Sequence, residues 1–156
     1  MITYRFAWER YAADLSGLGA SLYGGRWNSV GTSLLYTAET ISLALLELLA
    51  GLKTPTTLDE QRLVTIVFPD DLPVAVPVAQ LPVGWNASPP IAFTQTAGDV
   101  FVAEGAKPIL KVPSVLIPEE FNYLLNPAHP AFSTVRITSI EPYKFDTRLL
   151  AKLGLL

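Results

Sequence analysis

The sequence predicts an α+β domain, and three observations carry that reading. Ile41 to Ala50 is a strong helix candidate, while Arg62 to Phe68 (RLVTIVF) is rich in β-branched residues and reads as a strand. Strands and helices alternate irregularly, with few hairpin signals, which argues against a doubly wound sheet. The thirteen prolines, from Pro55 to Pro142, imply many short elements joined by rigid turns. At 156 residues, with no repeat and no Gly/Ser linker, the chain suits one domain spanning 1–156.

The elements follow in order. Thr3 to Ala7 reads as a first strand. Tyr23 to Gly31, with three glycines, reads as a tight turn, and Ser33 to Thr37 as a short strand. Thr40 is the expected N-cap of the helix over 41–50, and Gly51 its expected stop. Pro69 to Pro90 reads as an irregular excursion. Ile91 to Ala103 reads as a helix, weakened by Gly98. Ile109 to Val112 and Val115 to Ile117 read as short strands around Pro113. Asn122 to Pro130 reads as a loop, Val135 to Tyr143 as a last strand, and Thr147 to Leu153 as a terminal helical turn or two.

Composition excludes several classes. Half the residues are apolar and 16% are charged, which speaks against disorder. Leu72 to Gly98 carries no charge, but five prolines interrupt it, so a lipid-exposed helix could not satisfy its backbone there. The first residues, MITYRFAWERY, lack the pattern of a signal peptide. No cysteine is present, which excludes disulfides and thiolate metal sites and fits a reducing cytosol. A net charge of −3 gives no basic footprint for nucleic acid.

The most informative stretch is Tyr23 to Glu47, YGGRWNSVGTSLLYTAETISLALLE. Arg26 sits in Gly24-Gly25-Arg26-Trp27-Asn28, where glycines let a ligand approach the backbone and a guanidinium can bind phosphate bidentately. The alternative is a structural turn in which Arg26 pairs with a surface acid. Glu47 is the only charge between Thr40 and Leu52, and its helical neighbours are Leu43, Ala44, Ala50 and Gly51. It either lines a cavity walled by small residues or lies exposed on a narrow polar stripe with Ser42. Tyr36 can stack a planar ring, donate a hydrogen bond, or serve as a core tyrosine. Ser114, in the extended KVPSVLIP run, can orient a ligand or sit at a sheet edge. No G-x-S-x-G elbow accompanies it. His129 reads as a brace of its Pro-flanked loop, with no second metal ligand at a recognisable spacing. Asn122 and Asn126 read as turn-formers, although Asn126 could reach across a site. The last leucines, Leu149, Leu150, Leu153, Leu155 and Leu156, either finish the core or offer a partner surface.

Taken together these residues resemble the RES domain family. The resemblance runs from Tyr4-Arg5 and Gly17-x-Gly19-Ala20 through Gly24-Gly25-Arg26-Trp27-Asn28, Gly31, Tyr36, Glu39 and Leu43-Ala44-x-x-Glu47. It continues at Leu81-Pro82-x-Gly84-Trp85, Thr94-Gln95 and Gly98-Asp99. It closes with Val112-Pro113-Ser114, Asn122, Leu125-Asn126-Pro127-x-His129-Pro130 and Phe145-Asp146-x-Arg148-Leu149. Phe101 departs from the pattern, where a tryptophan is expected.

The resemblance implies a fold similar to the ADP-ribosyltransferase core, with small split sheets around a NAD cleft. It implies the toxin of a bacterial toxin–antitoxin pair, in the cytoplasm, that breaks down NAD⁺ by glycohydrolysis or phosphorolysis. ADP-ribosylation of a protein is the alternative, and a non-catalytic NAD-type binding module a further one. NAD⁺ is then a substrate, with no permanently bound cofactor and no metal. The implied partner is a helix-turn-helix antitoxin of the Xre type, with a homodimer possible inside that complex. By motif position the implied catalytic residues are Arg26, Tyr36, Glu47 and Ser114. NAD contacts are implied for Arg26, Trp27, Asn28, Tyr36, Ser114 and Asn126.

Overall fold

The computed structural model describes residues 1–52, 58–75 and 81–154. Among the described residues seven strands form one sheet: β1 (Ile2–Trp8), β2 (Leu35–Ala38), β3 (Gln61–Val67), β4 (Val74–Ala75), β5 (Ile109–Pro113), β6 (Phe121–Leu125) and β7 (Arg136–Pro142). Four helices accompany it: α1 (Leu18–Tyr23), α2 (Ile41–Gly51), α3 (Ala92–Glu104) and α4 (Thr147–Lys152). The strand order is β4-β5-β6-β2-β1-β3-β7, antiparallel except for the β4–β5 pair.

One junction in this sheet differs from the rest. β1 pairs with β3 along its whole length, from Ile2↔Val67 to Trp8↔Gln61, but with β2 only at Tyr4↔Ala38. The sheet therefore forks between β1 and β2. Alternation along the strands then sorts side chains onto two faces. Leu35, Ile109, Tyr123 and Leu125 join Val64 and Ile66 in one core. Leu110, Val112 and Leu124 pack on the other face with Trp27, Leu34 and Phe101. Asn122, two residues before Leu124, shares that second face. Phe101, the departure from the family pattern, is an ordinary member of this core, 8% exposed.

Helix α2 forms as the sequence implies. Thr40 caps it by accepting from the Leu43 N–H at 3.0 Å, and Leu43 and Ala44 are buried against Tyr4, Phe6 and Ala38. It ends differently: Gly51 is the last helical residue, and the chain leaves through an extended Leu52. Thr40 also donates to Glu120 Oε2 at 2.8 Å, so the cap ties α2 to the entry of β6. Thr40→Ala is expected to cost about 1–2 kcal/mol. That lowers the melting temperature by roughly 2–8 °C, measurable by circular dichroism.

The sequence reading differs from the structure at several points. Asn122 to Pro130 is not all loop, since Phe121–Leu125 is a strand paired on both sides. Its Tyr-Leu-Leu run is buried on both faces and so lacks the alternation that marks a half-exposed strand. Val115 to Ile117 is a turn rather than a strand. Ser114 Oγ accepts from the N–H groups of Leu116 and Ile117, giving the backbone an alternative to the ladder. The short helix α1 and the two-residue β4 inside the Pro69–Pro90 excursion also went unread. Among the terminal leucines, Leu149 and Leu150 are half-buried and Leu153 is exposed. Leu155 and Leu156 lie outside the described residues. Among the described residues no helix is long and apolar enough to cross a membrane.

Candidate active site

The turn that carries Arg26 is clamped from two sides. Asn28 is fully buried, and its Nδ2 donates to the carbonyls of Ala20, Ser29 and Thr32 at 2.8–3.1 Å. Its Oδ1 accepts from the Tyr36 hydroxyl at 2.7 Å, and that hydroxyl accepts from the Trp27 N–H at 3.0 Å. Gly25 is required here, since a Cβ would stand 2.6 Å from the Tyr36 hydroxyl. Helix α3 clamps the other side. Gln95 Nε2 donates to the Gly25 carbonyl at 3.1 Å, and the Ser29 N–H donates to Asp99 at 2.9 Å. Burial alone would push the Asp99 carboxyl up, but the Ser29 and Thr32 hydrogen bonds outweigh it and hold the group below its ordinary value.

Arg26 projects from this rigid turn. Its Nη1 donates to the carbonyls of Trp85 at 3.0 Å and Ala87 at 2.8 Å, which ties the turn to the 82–90 loop. Among the described residues it makes no ion pair, so a surface acid does not account for it. Its remaining N–H groups border a cavity of about 370 Å³ whose lining includes Tyr36, Glu47, Ala50, Asn86 and Asn122.

Glu47 is half-buried on the inner side of α2. Its Oε1 accepts from Ser114 Oγ at 3.1 Å and from Asn122 Nδ2 at 2.7 Å. It lines the Arg26 cavity and an adjoining one of about 250 Å³ bordered by Tyr4, Arg5, Tyr36, Ala44 and Asn122. Ala44, Ala50 and Gly51 supply the small walls that its helical position implied. Arg26, Tyr36, Glu47 and Ser114 thus converge from a turn, β2, α2 and the end of β5.

The remaining expectations divide. The Tyr36 hydroxyl is occupied by Trp27 and Asn28, and burial pushes it well above the ordinary tyrosine value, so it stays protonated and only the ring faces the cavities. Ser114 is fully buried and spends its proton on Glu47, so it acts on the carboxylate rather than on a ligand. Trp27 is 3% exposed and belongs mainly to the core, with Trp85 6.2 Å away ring to ring. Asn28 is fully buried, with both amide hydrogens committed to backbone carbonyls and its Oδ1 to the Tyr36 hydroxyl, so it braces the turn instead of offering the NAD contact that the resemblance implies. Asn126 is the turn-former that the sequence implies, with its Oδ1 accepting from the Ala128 N–H, and is not placed for the NAD contact that the resemblance implies. It lies four residues along β6 from Asn122, about 13 Å away, and it is fully buried and bonded to Val102 and Ala128. His129 braces its loop as read, with Nδ1 accepting from the Ala131 N–H at 3.1 Å.

Two residues that the motifs include without a role, Asn122 and Arg5, also border the cleft. Asn122 was read as a turn-former because the strand beneath it went unseen. Arg5 was read only as part of β1. Arg5 borders the 250 Å³ cavity, and its Nη2 donates to the carbonyls of Tyr11, Ala12 and Asp14, while its Nε is buried without a partner. Burial pulls its pKa below the ordinary arginine value, with Asp14 opposing that shift. A lone charge within the Ile2–Trp8 strand is the signal that the sequence offers.

The chain is similar to several known proteins. A family model for the RES domain matches residues 3–146. A Prs ADP-ribosylating toxin from Sphingobium is 38% identical over 144 residues, covering 90% of this chain and 89% of the relative. A toxin Res from Yersinia enterocolitica is 38% identical over 152 residues, covering 96% and 99%. A chain in the crystal structure of the M. tuberculosis MbcT–MbcA toxin–antitoxin complex superposes with a TM-score of 0.74 at 18% identity, covering 97% of this chain and 87% of that one. That likeness shows a shared α+β fold, and in this chain the small split sheets implied by the resemblance are joined into one seven-stranded sheet that narrows to a single pair between β1 and β2. Matched over nearly its whole length, the chain belongs to the RES domain family.

Proposed function

We propose that this chain is the toxin of a toxin–antitoxin pair and cleaves the nicotinamide–ribose bond of NAD⁺. The observation that carries this reading is the Glu47 carboxylate, held by Ser114 and Asn122 in a cleft flanked by two arginines without ion-pair partners among the described residues. The two adjoining cavities, about 250 and 370 Å³, suit an elongated dinucleotide.

In this reading Arg26 and Arg5 hold the pyrophosphate or an adjacent hydroxyl through charge-assisted hydrogen bonds. The Tyr36 ring packs on nicotinamide. The bond from ribose C1′ to the pyridinium nitrogen breaks, its electron pair goes to nitrogen, and neutral nicotinamide departs. Positive charge develops on the ribose, where Glu47 stabilises it. Water or phosphate then attacks C1′.

Transfer to a protein side chain is the second reading, favoured by the relative named for ADP-ribosylating Prs. The partner in either case is a helix-turn-helix antitoxin of the Xre type, in line with the toxin–antitoxin complex that shares the fold. The site of action is the cytoplasm, where NAD⁺ is abundant.

The test is incubation of purified protein with NAD⁺, following free nicotinamide. Release is expected; a folded protein that releases none, with or without lysate as acceptor source, overturns the reading. With labelled NAD⁺ in lysate, bulk loss without a labelled band selects degradation, and a discrete band selects transfer.

A further inference from the structure

Glu47 is held asymmetrically. Both of its protein donors, Ser114 Oγ and Asn122 Nδ2, reach the same oxygen, Oε1. Two donors fill that oxygen's two lone-pair directions. Oε2 accepts no hydrogen bond among the described residues.

Each donor is itself locked. Ser114 Oγ accepts from the Leu116 and Ile117 N–H groups, so its single proton is left for Glu47. Asn122 sits in β6 with Ala38 on one side and Val112 on the other, so its backbone is fixed by two ladders. Only its Nδ2 can donate to a carboxylate, which fixes which way the amide points. Glu47, by contrast, is a long side chain on an inner helix face, and its rotamers are free unless something holds them.

We infer that Asn122 is a positioning residue: with Ser114 it saturates Oε1 of Glu47 and reserves Oε2 for the ribose on which charge develops. The inference rests on the NAD⁺-cleaving reading. Asn122 borders both cavities, but the inference has it act through the carboxylate it holds. It makes the β6 ladder, rather than α2 alone, the element that aims the carboxylate. A carboxylate misdirected by about 1 Å forfeits about 10²-fold in rate.

The experiment measures steady-state nicotinamide release and thermal melting for wild type, Asn122→Ala, Asn122→Asp, Glu47→Gln, and the Glu47→Gln/Asn122→Ala double variant. Asn122→Ala is expected to lower kcat by about 30- to 100-fold and leave KM within about 3-fold. Asn122→Asp keeps the shape but replaces the donor with a second carboxylate, so it is expected to be no more active than Asn122→Ala. In the Glu47→Gln background, adding Asn122→Ala is expected to cost less than about 3-fold, because the group it aims is gone.

The inference is overturned if Asn122→Ala keeps kcat near wild type, if its loss lies only in KM, or if Asn122→Asp exceeds Asn122→Ala. It is also overturned if both single Asn122 variants unfold, since the residue is then structural. Wild type that releases no nicotinamide overturns the functional reading itself, and is seen before any variant is compared.

Discussion

Glu47→Gln is expected to lower nicotinamide release by about 10²- to 10³-fold, the usual loss when a group stabilising transition-state charge is removed. The substitution is isosteric. The amide oxygen can still accept from Ser114 and Asn122, whose donors lie 3.1 and 2.7 Å from Oε1. What changes is the other end, where a neutral N–H₂ replaces the free carboxylate oxygen and cannot stabilise an oxocarbenium-like ribose. The arginines and the Tyr36 ring are untouched, so NAD⁺ affinity, measured by calorimetry, is expected to stay within about 3-fold of wild type. The melting temperature is expected to move by no more than about 4 °C, since the loss of one paired carboxylate costs about 1 kcal/mol. A variant that keeps more than a tenth of wild-type activity removes Glu47 from the chemistry.

Gly98→Ala is expected to be the most damaging substitution to the fold. In a helix interior this change ordinarily stabilises by about 0.5–1 kcal/mol. Here an added Cβ would stand 1.6 Å from the Trp27 carbonyl oxygen and 2.7 Å from its carbon. Both are backbone atoms of the turn held by Asn28 and Tyr36, so no flexible side chain can swing aside. Helix α3 must move off the turn, which breaks the Gln95–Gly25 and Ser29–Asp99 bonds and opens the core around Trp27. The expected cost is about 3 kcal/mol or more, a fall in melting temperature of roughly 6–12 °C, together with loss of activity. Gly19→Ala is the control. Gly19 is helical and a Cβ there meets nothing within 4 Å, so a neutral or slightly stabilising outcome is expected. If Gly98→Ala melts with wild type, α3 is not what fixes the Arg26 turn.

Much of the site was legible because its residues contradict their surroundings. Glu47 stood out as a lone charge on an apolar helix, and Arg26 as a cation among glycines. Both are where those contradictions implied. The resemblance implies NAD contacts for Asn28 and Asn126, but both are fully buried and bonded to backbone. Packing brings Asn28 to the Ala20 and Thr32 carbonyls and Asn126 to the Val102 carbonyl, while the Ala128 N–H bond of Asn126 is a local turn. The role of Asn122 was hidden for a different reason. Pro118 and the Asn126-Pro127 pair frame its strand with turn chemistry, and a strand buried on both faces carries no period to detect. The fork between β1 and β2 left no sequence trace, since it is a pairing that fails to extend rather than a residue that is present.

That fork assigns the two arginines to different bodies. Arg5 comes with β1, β3 and β7; Arg26 is clamped to α3 and, through it, to the β2, β6 and β5 side. A dinucleotide gripped by both would act as a rivet across a seam that the backbone closes at a single residue pair, Tyr4↔Ala38. Binding of that kind would add to the one core, Leu35, Ile109 and Leu125 with Val64 and Ile66, that already packs the two sides of the fork together.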